Sequence, residues 1–220
     1  MSIRSGLDGT QATCPCAMVL PDGRIMVYWV QAWTDGALSG VGIASTYSDD
    51  DGETWSDTTT YIASNTDEPP VKLRAACNAR GEAVMLVSME KAGASYSTSC
   101  CKQFASVDYG TTWATVGLTL DAAGEGVGHA EVAWVDSAFV VAYLADSDEV
   151  AHVARLGSAF TPIHSADSVA TPTAYWSKSG SAPFTIGGAG LAMVLDETGD
   201  VLLFGAKDGT GTVETSRDLL

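Results

Sequence analysis

His129 and Glu131 stand two positions apart in a run of strand-forming residues. Side chains alternate along a strand, so both fall on one face at a spacing that suits acid/base chemistry. The same pair also makes an ordinary buried hydrogen-bonded contact, and the sequence places no nucleophile or orienting group beside it. Six arginines are available to grip an anionic substrate: Arg4, Arg24, Arg74, Arg80, Arg155 and Arg217. Arg24 and Arg80 lie in or beside turns. Arg74 instead enters a strand-forming run that begins at Ala75. Trp33, Tyr175 and Trp176 offer flat faces on which sugar rings stack, or which cover apolar edges or meet a protein partner. Glu68 accompanies them in the connecting segments, as do Asp35, Asp67 and Glu125.

Metal chemistry is poorly supported. Cys14, Cys16, Cys77, Cys100 and Cys101 are odd in number and irregular in spacing, with no second CxxC or HxxxH to complete a zinc site with His129, His152 or His164. Most of these thiols read as small buried hydrophobes. Asp49-Asp50-Asp51-Gly52-Glu53 looks like a calcium loop, but a related segment further on has Val107 and Tyr109 in place of the flanking acids. Too few oxygen ligands remain there. No phosphate-cradling G-x-x-x-x-G-K-[ST] and no H-E-x-x-H occurs, and Gly187–Gly190 lies among strands. No metal and no cofactor is expected.

The elements that must position these residues come as a repeat. Ser48-Asp-Asp50-Asp-Gly52-Glu-Thr54-Trp55 and Ser106-Val-Asp108-Tyr-Gly110-Thr-Thr112-Trp113 both read S-x-D-x-G-x-T-W, 58 positions apart. The same offset carries Gly23 onto Gly81, each in a turn between apolar runs. Weaker copies follow at 130–143, with its turn at Asp136–Ser137, and at 190–204, with its turn at 197–199. Each unit reads as short strands bounded by Gly, Asp, Asn, Ser and Thr, and no helix-length window shows a 3.6-residue period. The expectation is one all-β domain over 1–220 with units near 11–57, 71–116, 126–165 and 179–220. Ser216-x-Asp218 resembles the start of another copy, which suggests an array that is incomplete or completed by a partner.

The S-x-D-x-G-x-T-W segments resemble the Asp box, or bacterial neuraminidase repeat, of sialidase-like β-propellers. That resemblance implies a propeller-like array of four-stranded antiparallel blades, with each box turning between the third and fourth strands on the face opposite the active site. Ser48, Asp50, Gly52, Thr54 and Trp55, with Ser106, Asp108, Gly110, Thr112 and Trp113, are then fold-holding. The two aspartates are expected to accept from backbone N–H groups two or three residues on, the glycines to supply positive φ, and the tryptophans to pack beneath the turn. Sialidase chemistry as the resemblance implies it needs three arginines, a Tyr–Glu nucleophile pair and an aspartate acid/base. The family's Phe-Arg-Ile-Pro motif is matched here by Ala12-Thr-Cys14-Pro15-Cys16-Ala17, without an arginine.

With 27 acidic and 11 basic residues the formal charge is −16, which repels nucleic acid and anionic lipid surfaces. No apolar run approaches the roughly 20 residues a membrane helix needs, and residues 1–16 contain no signal-peptide h-region. Membrane insertion and an export signal are therefore not expected. Two functional readings result. One is a non-catalytic structural or binding module of a larger oligomeric assembly, with protein partners or a glycan ligand, virion-associated (a phage tail or fibre) or cytoplasmic. The other is a divergent or incomplete sialidase-like glycoside hydrolase. The ligand face on either reading draws on Trp33, Glu68, Arg74, His129, Glu131, Tyr175 and Trp176.

Overall fold

The computed structural model describes residues 11–35, 38–64, 70–89, 100–119, 127–135, 137–145, 151–163, 191–195, 201–206 and 213–216. These residues form strands and no helix. The first sheet runs β1 (Gln11–Val19), β2 (Ile25–Asp35), β3 (Leu38–Ser48) and β4 (Thr59–Ser64). The second runs β5 (Pro70–Cys77), β6 (Ala83–Met89), β7 (Cys100–Ser106) and β8 (Ala114–Thr119). A third contains β9 (Val127–Val135), β10 (Ala138–Ala145) and β11 (Ala151–Leu156), and a fourth β12 (Leu191–Leu195), β13 (Val201–Ala206) and β14 (Val213–Ser216). Every strand pairs antiparallel with its neighbour in sequence, so each sheet is a simple meander. β1 lies beside β5, β5 beside β9, and β9 beside β12, so the first strands of successive sheets adjoin.

Period-two alternation in β6 explains how the sheets stack. All seven of its residues are buried. Ala83, Met85, Val87 and Met89 join Met18, Met26, Tyr28 and Ile43 in a core against the first sheet. Val84 and Leu86 face the other way and join Phe139, Val141, Tyr143 and Leu156 in a core against the third. A strand buried at every position is one covered on both faces.

The 58-residue repeat reappears in the turns. Between β1 and β2, Gly23 N–H donates to the Leu20 carbonyl and Leu20 N–H to the Arg24 carbonyl. Between β5 and β6, Gly81 donates to Asn78 and Asn78 to Glu82 in the same pattern. Gly23 and Gly81 have φ of 92° and 88°, which only glycine adopts without strain.

The two S-x-D-x-G-x-T-W segments join β3 to β4 and β7 to β8. In each, the serine hydroxyl donates to the aspartate at 2.7 Å and accepts from the glycine N–H, at 2.8 Å from Gly52 and 2.9 Å from Gly110. The aspartate accepts from the threonine N–H four residues on, at 2.8 Å in both, and from the threonine hydroxyl. The reach thus extends one residue beyond the two or three expected, while the N–H groups of Glu53 and Thr111, three residues on, also act on the two carboxylates. The extra length arises because two consecutive residues enter the left-handed region: Asp51 and Gly52 in one turn, Tyr109 and Gly110 in the other. Trp55 Nε1 donates to the Gly52 carbonyl at 3.0 Å, whereas Trp113 packs edge-on against Tyr28 of the first sheet.

One stretch differs from the sequence reading. Thr59–Ser64 is the outer strand β4, in the interval between the units expected at 11–57 and 71–116. Its Thr-Thr-Tyr-Ile-Ala-Ser sequence carries little apolar alternation, as suits an edge strand with one neighbour. A third turn of the same construction follows β11. There the Thr161 N–H donates to the Ser158 carbonyl, as Glu53 does to Asp50 and Thr111 to Asp108. Ser158 stands in the aspartate position and Ile163 in the tryptophan position, so the motif had lost its identifying residues.

Candidate functional site

The first strands of the first three sheets each carry an irregularity in pairing. In β1 it falls between Thr13 and Cys16, in β5 between Pro70 and Lys72, and in the β9–β10 pair at Leu144/Ala145 opposite His129/Val127. Such bulges bend a strand and re-aim the side chains beside them. Hairpin register then sets Cys16 opposite Tyr28, Arg74 opposite Leu86, and Glu131 opposite Ala142. Cys16, Arg74 and Glu131 therefore occupy corresponding places on adjoining strands.

Arg74 reaches across from β5 to β9. Its Nε lies 2.9 and 2.8 Å from the two carboxylate oxygens of Glu131, and its Nη1 donates to the Leu73 carbonyl at 2.9 Å. Lys72 brings its Nζ to 3.8 Å from Glu131 Oε1. On the β1 side, Cys16 Sγ accepts from the Ala75 N–H at 3.2 Å, tying the first sheet to the second next to Arg74.

Burial sets the electrostatics. Glu131 is 8% exposed, and this pushes its carboxyl above the ordinary carboxylate range, with Arg74 and Lys72 pulling the other way. Burial also pushes the Lys72 ammonium below its ordinary value, opposed by the Glu131 charge and reinforced by Arg74. The Cys16 thiol is raised by burial as well. Two cations thus surround one buried carboxylate in a chain of formal charge −16. Arg74 Nη2 makes no hydrogen bond among the described residues, and its side chain is a third exposed. With Glu131 holding Nε, the outer edge of the guanidinium can receive an anionic group, and the Lys72 ammonium lies near the same carboxylate.

Of the ligand-face residues named from sequence, the structure brings Arg74 and Glu131 together. Glu131 was read with His129; its partner is Arg74. His129 lies in β9 opposite Leu144, and Trp33 in β2 opposite Gly40, but their side chains fall outside the described residues. Glu68, Tyr175 and Trp176 lie outside them altogether. Sequence reasoning missed Lys72 and Cys16. The signal was present: Lys72 shares a strand face with Arg74, and Cys16 precedes Arg74 by the repeat offset.

The remaining described arginines are elsewhere. Arg24 Nε donates to Asp49 at 2.6 Å and its guanidinium lies over the Tyr47 ring, while Arg80 is in the β5–β6 turn and Arg155 is exposed in β11. A three-arginine grip is not assembled from the described residues. The ten residues read as fold-holding, five in each S-x-D-x-G-x-T-W segment, lie in the β3–β4 and β7–β8 turns described above. Among the described residues no group of three metal-ligating side chains comes together, and no helix is long and apolar enough to cross a membrane.

No protein-family model matches the chain, and no curated protein does. Solved structures do match. A Hadza microbial sialidase superposes on 96% of this chain and 45% of its own length, at 18% identity and TM-score 0.58. A family 117 glycoside hydrolase from the marine bacterium Zobellia galactanivorans superposes on 95% of this chain and 66% of its own, at 11% identity and TM-score 0.63. The GH93 α-L-arabinofuranosidase of Fusarium graminearum, solved with arabinobiose, covers 95% and 63% at 13% identity and TM-score 0.63. The chain spans less than two thirds of the length of each. At these identities the likeness is one of fold: the chain is an all-β protein of antiparallel sheets sharing the propeller-like fold of sialidases and related glycoside hydrolases.

Proposed function

We propose that this chain is a glycan-recognition unit of the sialidase-like kind, in which Lys72, Arg74 and Glu131 bind an acidic sugar. The observation that carries the reading is the Arg74–Glu131 pair, which fixes a guanidinium on adjoining first strands with an unoccupied edge and a second cation beside it. In this reading the four sheets are successive blades, and the sectors beyond them come from another segment or a partner subunit. The glycoside-hydrolase neighbours support glycan recognition. They lend nothing to a phage tail or fibre role.

A second reading, a divergent glycoside hydrolase, is favoured by the same neighbours. Fold does not decide activity, and the described residues supply one arginine and one carboxylate to the cluster where the sialidase chemistry needs three arginines and further groups. Glycan-array binding followed by assay on fluorogenic glycosides separates the two. Retention of acidic glycans without turnover supports the binding unit; release of fluorophore that survives Arg74→Ala would show a catalytic site elsewhere.

A further inference from the structure

Cys14 and Cys16 are one residue apart in β1, and both pack against the core between the first and second sheets. The bulge explains why. Pairing steps from Thr13–Val30 to Cys16–Tyr28, so Cys14 and Pro15 together oppose Trp29 and neither holds a place in the ladder. Cys14 has a φ of 53°, in the left-handed region that non-glycine residues rarely enter. It is half-buried, while Cys16 is buried, and neither is in a disulfide. Lys72 lies within electrostatic reach of Cys14, and Arg74 within reach of Cys16.

We propose that Cys14 and Cys16 form a redox pair that closes to a disulfide and, in doing so, releases the first sheet from the second beside Arg74. Two residues of chain span at most about 7 Å, and disulfide-linked Cα atoms stand about 4.4–6.8 Å apart, so a small tightening suffices. Cys14 and Pro15 lie within the bulge, so of the two cysteines only Cys16 is held by a ladder pair, with Tyr28. The oxidant is a low-molecular-weight disulfide. The Cys14 thiolate attacks one of its sulfurs, forming a mixed disulfide and expelling one thiolate. Cys16, after losing its proton, attacks the Cys14 sulfur, forming the Cys14–Cys16 bond and expelling the second thiolate. Two protein thiols are oxidised, one small disulfide is reduced to two thiols, and the two protein protons pass to the leaving thiolates. Bonding draws Cys16 Sγ towards Cys14 and away from the Ala75 N–H it now accepts from, and the strand carrying Lys72 and Arg74 loses that anchor.

The test is incubation of the full chain with oxidised glutathione, followed by alkylation and peptide mass mapping. The expected product lacks two hydrogens, with the loss confined to the peptide holding Cys14 and Cys16, and it reverses with dithiothreitol. Cys16→Ser should accumulate a glutathione adduct on Cys14, and Cys77→Ser should leave the two-hydrogen loss intact. Should Cys16→Ser fail to fold, the half-buried Cys14→Ser serves instead and must abolish the loss. A lasting glutathione adduct on Cys14 of the unaltered chain would overturn the proposal. So would a disulfide confined to Cys100 and Cys101, or unreacted Cys14 and Cys16 under conditions that alkylate Cys14.

Discussion

The Tyr28 hydroxyl, in the second strand of the first sheet, donates to the carbonyl of Gly110 at 3.0 Å, in the motif turn of the second sheet. The bond is buried, and it changes what the turn does with its tryptophan. In the first turn Gly52 accepts from its own Trp55; in the second, Tyr28 takes that carbonyl and Trp113 Nε1 is left buried with no hydrogen bond among the described residues. The third turn is held by its preceding sheet too. Gln103 Nε2 donates to the Ala159 and Thr161 carbonyls, its Oε1 accepts from the Ile163 N–H, and the Ser158 hydroxyl donates to Glu82. The second and third turns therefore also latch their sheets to the preceding one.

Tyr28→Phe should cost only about 1 kcal/mol, because Trp113 can swing to the orphaned Gly110 carbonyl as Trp55 does at Gly52. Tyr28→Ala, which also empties a fully buried ring site, should cost about 3–5 kcal/mol. Urea denaturation of the two variants measures both. A Phe variant as damaged as the Ala variant would show that the indole does not substitute.

Gly110→Ala and Gly52→Ala form a second comparison. Both glycines have positive φ, so each substitution carries a strain of about 1–2 kcal/mol. A Cβ at Gly110 would also meet the Tyr28 hydroxyl at 2.3 Å, whereas at Gly52 the nearest atom is Trp55 at 3.6 Å. Gly110→Ala should be the more destabilising by at least about 1 kcal/mol in the same assay. Equal losses would mean that backbone strain alone is at work.

Acid should loosen these turns. Hydrogen bonds from Thr54 and then Ser48 lower the Asp50 carboxyl from its ordinary 3.8 to about 2. Asp108 is lowered as well: burial, its largest influence, opposes the shift, and bonds from Thr112 and Ser106 outweigh it. A carboxylate lowered on folding contributes stability that is present above its ordinary value and lost as pH falls through the folded one. The melting temperature should therefore drop between pH 4 and pH 2. In the Asp50→Asn, Asp108→Asn double variant the drop should be smaller, from a lower starting point.

Removing Arg74 should act in the opposite pH direction. Arg74→Met leaves Glu131 buried with only Lys72 at 3.8 Å, at a cost of about 2–4 kcal/mol near neutrality. A carboxyl raised by burial favours folding most when protonated, so stability lost in this variant should return as pH falls towards 5. Thermal melts of the variant and the parent chain across pH 5–8 read this directly. A deficit that stays constant over that range would mean that Glu131 is not the group left uncompensated.

The repeat was legible because its residues are dictated by backbone geometry: only glycine tolerates φ near 90° at 23, 52, 81 and 110, and an Asp with a flanking Ser and Thr builds the turn from local bonds. The third turn escaped notice because inter-sheet bonds with Gln103 and Glu82 supplement the local ones, so Ser158 can stand for aspartate. Arg74 and Glu131 could each be picked out by strand position, but their pairing could not. It depends on β5 and β9 lying side by side, a long-range fact that no local pattern encodes. Lys72 was overlooked because a lysine near the start of a strand usually marks a solvated end.

The central claim is that Lys72 and Arg74 receive the anionic group of a sugar, and it is tested most directly by titrating isotope-labelled protein with glucuronate-terminated, sialate-terminated and neutral hexose oligosaccharides. The Arg74 Nε–H resonance and the backbone amides of 72–75 should shift with an acidic sugar and stay fixed with the neutral one. Lys72→Ala should weaken the acidic sugar's binding about tenfold without unfolding the protein. Equal binding of the neutral sugar, acidic-sugar shifts that bypass Arg74, or no binding of either acidic sugar would contradict the account.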